Sequence, residues 1–353
     1  MYFIIFIFSL STALSSIINV FLAYDSDTAD TVILTEYKIS ELDEERINDI
    51  VTIYEPFSDT NVYAFITFTT EVTPTSTGII STDYKILTED PHLWTELSHG
   101  LVAHGGGGIL NVVVSNCYEA LTLNYRKGHR VFEMDLNLTS DNELVAVHDW
   151  PSYAGIKSLA EFKEIKIADV FTSMDLDDIY AFMQTNKDAY LITDTKSFEY
   201  SEEETALQFR LIYKKAFEYG GYDILSRVIP QIYNERTYDV INEIYSFRSI
   251  VYTLYATKAT SAEVMEFVMD KDEIKVIAMT PERYSNDFLD ELNTNSLFAN
   301  SLTTNSKLIY LHTINDLDEI MYYKQQGVHG FYTDYIIPSQ MERQEAGVKS
   351  QES

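Results

Sequence analysis

Six side chains along the middle of the chain have the types and spacing of a cation-binding site with proton-transfer groups beside it. They are His104, Glu133, Asp135, His148, Asp194 and Lys196. Glu133 and Asp135 are two apart in an apolar run, so on a strand they face the same way. Asp194 closes another such run and would lie at comparable height if the two runs are neighbours. Three carboxylates brought this close repel one another and hold their protons, unless an oxygen-coordinated cation such as Mg²⁺ or Ca²⁺ sits among them. The plainer alternatives are acids paired with a nearby Lys or Arg, and histidines kept for structure. Two imidazoles add groups that exchange protons near neutral pH.

These residues fall at the ends of short apolar runs that alternate with polar or helical stretches, the signature of βα units. The runs are GLVAH, RVFEMDL, YLITDTK, VIPQIY, SIVYTLY, IKVIAMT, KLIYLHT and HGFYTD. Helical patterns such as CYEALTLNYRKG and ALQFRLIYKKAFEYG separate most of them. Eight runs over residues 101–338 predict an α/β fold of the (β/α)8 TIM-barrel type, with LVAVHD after Asn142 as a hairpin arm on the second strand. A doubly wound open sheet is the alternative. The barrel is favoured because polar residues recur where its strands end, which is where barrels build their sites.

Around this core, residues 1–24 read MYFIIFIFSLSTALSSIINVFLAY and contain no charged side chain. Counted as a helix they are long enough to cross a bilayer, so a signal peptide or membrane anchor is expected there. Asp25, Asp27 and Asp30 follow, and no basic residue appears before Lys38. This places the globular part on the extracellular face, anchored or secreted. Residues 31–95 suggest a small α+β region of unreadable role, with an acidic helix in ISELDEERINDIVTIY. Residues 339–353 read as a polar tail.

The 353 residues carry 25 Lys and Arg against 55 Asp and Glu, a net charge of −30 that argues against a nucleic-acid partner. Cys117, the single cysteine, cannot form an internal disulfide and is expected to be buried and structural. Asn137-Leu138-Thr139 is a glycosylation sequon expected to stay unmodified, because it lies two residues past Asp135.

An ordered succession of fragments adds to this reading. AHGGG (Ala103–Gly107), SNCYEAL with Asn116 and Glu119, KGHRVFEMDLNLTSDNELVAVHDW (Lys127–Trp150) and ITDTK (Ile192–Lys196) come first. VIPQIYN (Val228–Asn234), LHTIND (Leu311–Asp316) and GVHGFYTDY (Gly327–Tyr335) follow. Together they resemble the glycerophosphodiester phosphodiesterases of the phosphatidylinositol-phospholipase-C-like TIM-barrel superfamily. The resemblance covers residues 101–338. It implies a metal-dependent phosphoric diester hydrolase, with His104 and His148 as the acid/base pair, Glu133, Asp135 and Asp194 as metal ligands, and Lys196 as a phosphate contact. The partner would be a phosphodiester small molecule or lipid headgroup, with the membrane reached through the N-terminal segment. Two residues depart from the family pattern. Gly105 stands where Arg commonly follows the first histidine, leaving the phosphate to Lys196, the metal or the amides of Gly105–Gly108, and Asp194 stands where Glu is usual. These departures keep open an inactive barrel serving as a surface binding module. A phospholipase or a hydrolase of polyol-phosphate polymers is a further alternative.

Overall fold

The computed structural model of the protein describes residues 16–24, 31–38, 62–70, 91–294 and 307–351. The chain divides into two units between Thr88 and Glu89. In the first, β1 (Ser16–Tyr24) pairs antiparallel with β2 (Thr31–Lys38) on one side and β3 (Val62–Thr70) on the other. The second half of the run expected to form a membrane segment is therefore a strand. SIINVFLAY is rich in β-branched and aromatic residues that suit a pleated surface, and counting uncharged residues at helical rise does not register that preference. Residues 1–15 lie outside the described residues, as do the expected acidic helix over 39–54, the residues 55–61 after it and the segment 71–90. Among the described residues no helix is long and apolar enough to cross a membrane.

The second unit is the barrel. Its eight parallel strands are β4 (Leu101–Ala103), β5 (Val131–Leu138), β9 (Tyr190–Asp194), β10 (Val228–Ile232), β11 (Ile250–Thr253), β12 (Ile274–Met279), β13 (Leu308–Leu311) and β14 (Gly330–Thr333). Each pairs in parallel with the next, and β14 closes the ring on β4. The hairpin arm is β6 (Leu144–Ala146), antiparallel to β5. A two-stranded ribbon, β7 (Lys166–Ile167) and β8 (Phe171–Thr172), follows it.

Period-two patterning fills the barrel. Val102, Val131, Ile192, Ile229, Val251 and Val276 form one buried cluster with Tyr310 and Tyr332, whereas their chain neighbours Leu101, Phe132, Leu191, Val228, Ile250 and Ile277 pack in a second cluster with helical residues. Trp94 joins the inner cluster and its indole N–H donates to Ser249 Oγ at 2.8 Å, just before β11, so it plugs the barrel at the N-terminal ends of its strands.

The helices carry legible start signals. Helix α1 (Tyr118–Arg126) is capped by Cys117, whose buried Sγ accepts from the Ala120 amide. Helix α2 (Glu202–Gly220) begins with a Ser201/Glu204 capping box, which accounts for its acidic run Glu202–Glu204. The residues expected as a polar tail are instead helical from Pro338 to Gln351. Proline suits a first helical turn, Gln, Met, Glu and Arg favour the helix, and the buried Met341 anchors it in the core.

Candidate active site

The site is assembled from the C-terminal ends of the strands. Glu133 and Asp135 lie within β5, Asp194 ends β9, and Asp135 and Asp194 are register partners across the two strands. All three carboxylates are buried, and one ligand atom from each lies within 4.8 Å of the others. Burial, then the charge of Asp135, pushes the Glu133 carboxyl up to about 8. The Gly105 amide donates to Glu133 Oε2 at 2.8 Å.

Lys196 follows β9 by two residues in a left-handed conformation (φ +52°) that turns its ammonium back over the strand end. Its Nζ is 2.7 Å from Asp135 Oδ1 and 2.9 Å from Asp194 Oδ2. The acids thus have a lysine partner, but all three carboxylates, once ionised, would outnumber its single ammonium by two. An all-oxygen donor set with that balance fits a hard divalent cation.

Asp194 is held more tightly than its neighbours. The buried Tyr233 hydroxyl donates to Oδ1, and the Tyr255 hydroxyl lies 3.1 Å from both carboxylate oxygens. Burial and the Asp194 charge raise both phenols, keeping them as donors. Asp135 is oriented by Asn116, whose Nδ2 donates to Oδ2 at 2.8 Å while its Oδ1 accepts the Asp135 amide at 3.0 Å.

Each histidine carries its own carboxylate. His104 follows β4 and its Nδ1 faces Asp334 Oδ1, past the end of β14, at 2.9 Å. Asn315 holds Asp334 in turn, donating from Nδ2 to Oδ2 at 2.7 Å and accepting the Asp334 amide at 2.7 Å. Burial lowers the pKa of His104, but the Asp334 hydrogen bond and the charges of Glu133, Asp334 and Asp135 outweigh it and raise it to about 9. His148 ends the arm and is half exposed, with Nδ1 3.0 Å from Asp149 Oδ2, and this bond holds the Asp149 carboxyl down at about 2. The Val147 amide donates to the Asp135 carbonyl at 2.9 Å, which fastens the arm beside the carboxylates.

The structure brings His104, Glu133, Asp135, Asp194 and Lys196 into one cluster and fixes His148 on the adjoining arm. Asp334, Tyr233, Tyr255, Asn315 and Asn116 were given no role by sequence reasoning, although all but Tyr255 and Asn116 stand in its last three fragments, Asn116 being in SNCYEAL and Tyr255 ending SIVYTLY. His312, after β13, is a further omission. Its ring contacts Tyr255 and Tyr332, its Nε2 is buried without a partner, and burial pulls its pKa down to about 4.

The missing arginine has a steric cause. Gly105 has φ +54°, and a Cβ there would lie 2.6 Å from Val114 Cα, so no side chain fits. Three of the four glycine amides that could replace it are engaged elsewhere, those of Gly105, Gly107 and Gly108 donating to Glu133, the His104 carbonyl and the Asp334 carbonyl. The sequon residue Asn137 is buried, its Nδ2 donating to the Val147 carbonyl at 2.7 Å.

A closed eight-stranded barrel with a carboxylate trio and two His–Asp pairs at its mouth defines a phosphodiesterase of the (β/α)8 class. The chain belongs to the glycerophosphoryl diester phosphodiesterase family, whose model matches residues 104–337. Solved structures share the fold. A putative glycerophosphoryl diester phosphodiesterase from Silicibacter pomeroyi DSS-3 aligns at TM-score 0.56 and 14% identity, over 73% of this chain and 98% of that one. A glycerophosphodiester phosphodiesterase from Parabacteroides distasonis ATCC 8503 aligns at 0.54 and 15%, over 70% and 96%. An Oleispira antarctica phosphodiesterase in complex with the product sn-glycerol-3-phosphate aligns at 0.53 and 15%, over 69% and 95%. No curated protein matches the chain.

Proposed function

We propose that the chain hydrolyses glycerophosphodiesters, or the related phosphodiesters of lipid headgroups, with Glu133, Asp135 and Asp194 holding a divalent cation, Ca²⁺ or Mg²⁺. The observation that carries this reading is the His104–Asp334 pair standing beside the buried carboxylate trio. Bound there, a divalent cation would neutralise charge developing on the phosphoryl oxygens. Asp334 keeps His104 protonated, which suits it to give a proton to the departing alkoxide, while His148 accepts one from the attacking glycerol hydroxyl, and water then opens the cyclic phosphate to complete the hydrolysis. Asn116 and the two tyrosines keep the carboxylates in place, and Lys196 offers a cationic contact for the phosphate. The product bound to the Oleispira relative, sn-glycerol-3-phosphate, is of the class such a reaction releases.

A binding module without catalysis would have no need of two carboxylate-oriented imidazoles, and this favours the enzyme. Outward placement of the barrel remains part of the reading, supported by the uncharged residues 1–24 and the acidic ones after them. Protease added to intact cells should remove the barrel.

The deciding experiment is hydrolysis of a glycerophosphodiester panel with EDTA and with added Ca²⁺ or Mg²⁺, beside calorimetric titration of the same ions. Turnover should need the ion, and Asp135→Asn should abolish both heat and turnover. A chelated chain that keeps full turnover sinks the metal assignment.

A further inference from the structure

The loop that follows His104 is unlike the rest of this acidic chain. From Gly105 to Tyr118 it contains no Asp, Glu, Lys or Arg, in a protein in which 23% of residues are charged. Its base is pinned to the mouth by the Gly108 amide, which donates to the Asp334 carbonyl at 2.6 Å. From there Ile109 and Val112 exchange two backbone hydrogen bonds of 2.9 Å, and Leu110 and Asn111 form the tip of a tight turn. Ile109 and Val112 pack downward on a cluster with Cys117, Ala120, Ile167 and Phe171.

Leu110 points the other way. It is 80% exposed, the highest among the large apolar side chains of the described residues, and its φ of +54° is a conformation that Gly, Asn or Asp adopts more readily. A leucine at such a tip is unfavourable both for its backbone and for its exposure to water. Val113 on the same loop, Tyr118 at its end and Tyr335 beside Gly108 are each 40% to 45% exposed. An apolar tip flanked by tyrosines and free of charge is the composition that enters the boundary of a lipid bilayer.

We propose that the Gly105–Tyr118 turn inserts Leu110 and Val113 into a lipid surface and so sets the barrel mouth against it. The proposal rests on the reading of that mouth as a phosphodiester-hydrolysing site, since it gives the site access to diesters presented by a membrane. A bilayer fits better than a second copy of the chain. Leu110 and Val113 on one short loop, with Tyr118 and Tyr335 near its base, fall short of the roughly 800 Å² that each partner buries in a stable protein interface. The net charge of −30 selects the lipid: a zwitterionic surface accepts the turn, and an anionic one repels the chain behind it.

The test uses the full chain and phosphatidylcholine vesicles. The chain should sediment with them, and the double variant Leu110→Asp/Val113→Asp should partition at least about tenfold more weakly. Aspartate tolerates the left-handed backbone at position 110, so misfolding is not the expected cause. In Leu110→Trp, emission should shift to the blue and be quenched by brominated phosphatidylcholine, and Trp94 and Trp150, both buried, leave that signal to residue 110. Turnover of soluble glycerophosphocholine should match wild type in the double variant. Partition that the double aspartate leaves unchanged overturns the proposal, as does a tryptophan the lipid does not quench, or self-association that Leu110→Asp abolishes. Loss of soluble turnover in the wild type, with vesicle binding still sensitive to Leu110, would instead refute the proposed function and leave this interface standing.

Discussion

Replacing Asp334 with Asn should lower the pKa of His104 enough to leave an appreciable neutral fraction of the ring at pH 7. Burial alone would lower this imidazole below 6.5; the Asp334 hydrogen bond and the charges of Glu133, Asp334 and Asp135 carry it to about 9 instead. The span from 6.5 to 9 corresponds to ~3.4 kcal/mol in favour of the imidazolium, and at pH 7 to about a hundredfold excess of it. Asn keeps the shape of Asp334 and removes its charge, while burial stays. Since Asp334 supplies two of the four attractions opposing burial, the ring should fall by about 1 to 2 pKa units. Histidine NMR titration of the metal-free chain measures this, with His104→Ala identifying the resonance. The sign is set by the raised value: the proton-donating form exists below the folded pKa and is lost as pH rises through it. The alkaline limb of turnover should therefore move to lower pH in Asp334→Asn. A His104 resonance still titrating near 9 in that variant would refute the assignment of Asp334 as the partner that keeps it charged.

Three further outcomes follow from contacts elsewhere in the barrel. His129 is buried, its Nε2 meeting the Ile336 carbonyl at 3.1 Å with Nδ1 unpartnered, and burial pulls it down to about 4. The unfolded chain then takes up this proton first, so stability should be lost as pH falls from about 6.5 to 4, by ~3 kcal/mol in all. Urea unfolding of His129→Gln, which keeps a donor to Ile336, should show that much less acid loss. Tyr233→Phe removes a buried hydroxyl that donates to Asp194 and accepts the Lys196 amide at 2.9 Å, and should cost roughly 1.5–3 kcal/mol by the same assay. Unchanged stability would mean that Asp194 is held by its other partners. Gly105→Arg, which supplies the arginine that the family resemblance leads one to expect, should lower melting temperature and turnover together, because Val114 occupies the space its Cβ needs; a gain in turnover would show that the loop yields.

The barrel was legible because buried parallel strands announce themselves locally: each is a short apolar run with its own boundaries, and eight of them allow few arrangements. The termini were less so. MYFIIFIFSLSTALSSIINVFLAY is uncharged throughout, and its few polar residues set no period by which helix and strand can be told apart, yet Ser16–Tyr24 pairs as a strand on both sides. The C-terminal segment looked like a tail because its polar residues hide one anchoring apolar position, Met341.

Within the site, what sequence could reach was set by distance along the chain. Glu133 and Asp135 share a face by the strand's own period, and Asp194 follows from placing its strand beside theirs. Asp334 lies 230 residues from His104, and Tyr255 61 residues from Asp194, so only closure of the barrel makes them partners. Gly105 shows the opposite case, in which the residue was noticed and its cause was not. Set against the family it reads as a lost arginine, a weakness at the phosphate. In the folded chain its positive φ lets the loop double back over it, sends its amide to Glu133, and brings Val114 where a side chain would stand. The same doubling back raises the uncharged turn with Leu110 at its tip. What is missing after the first histidine is therefore bound up with what the loop adds at the mouth, and one substitution connects them: Gly105→Arg should disturb the turn as well as the carboxylate beneath it.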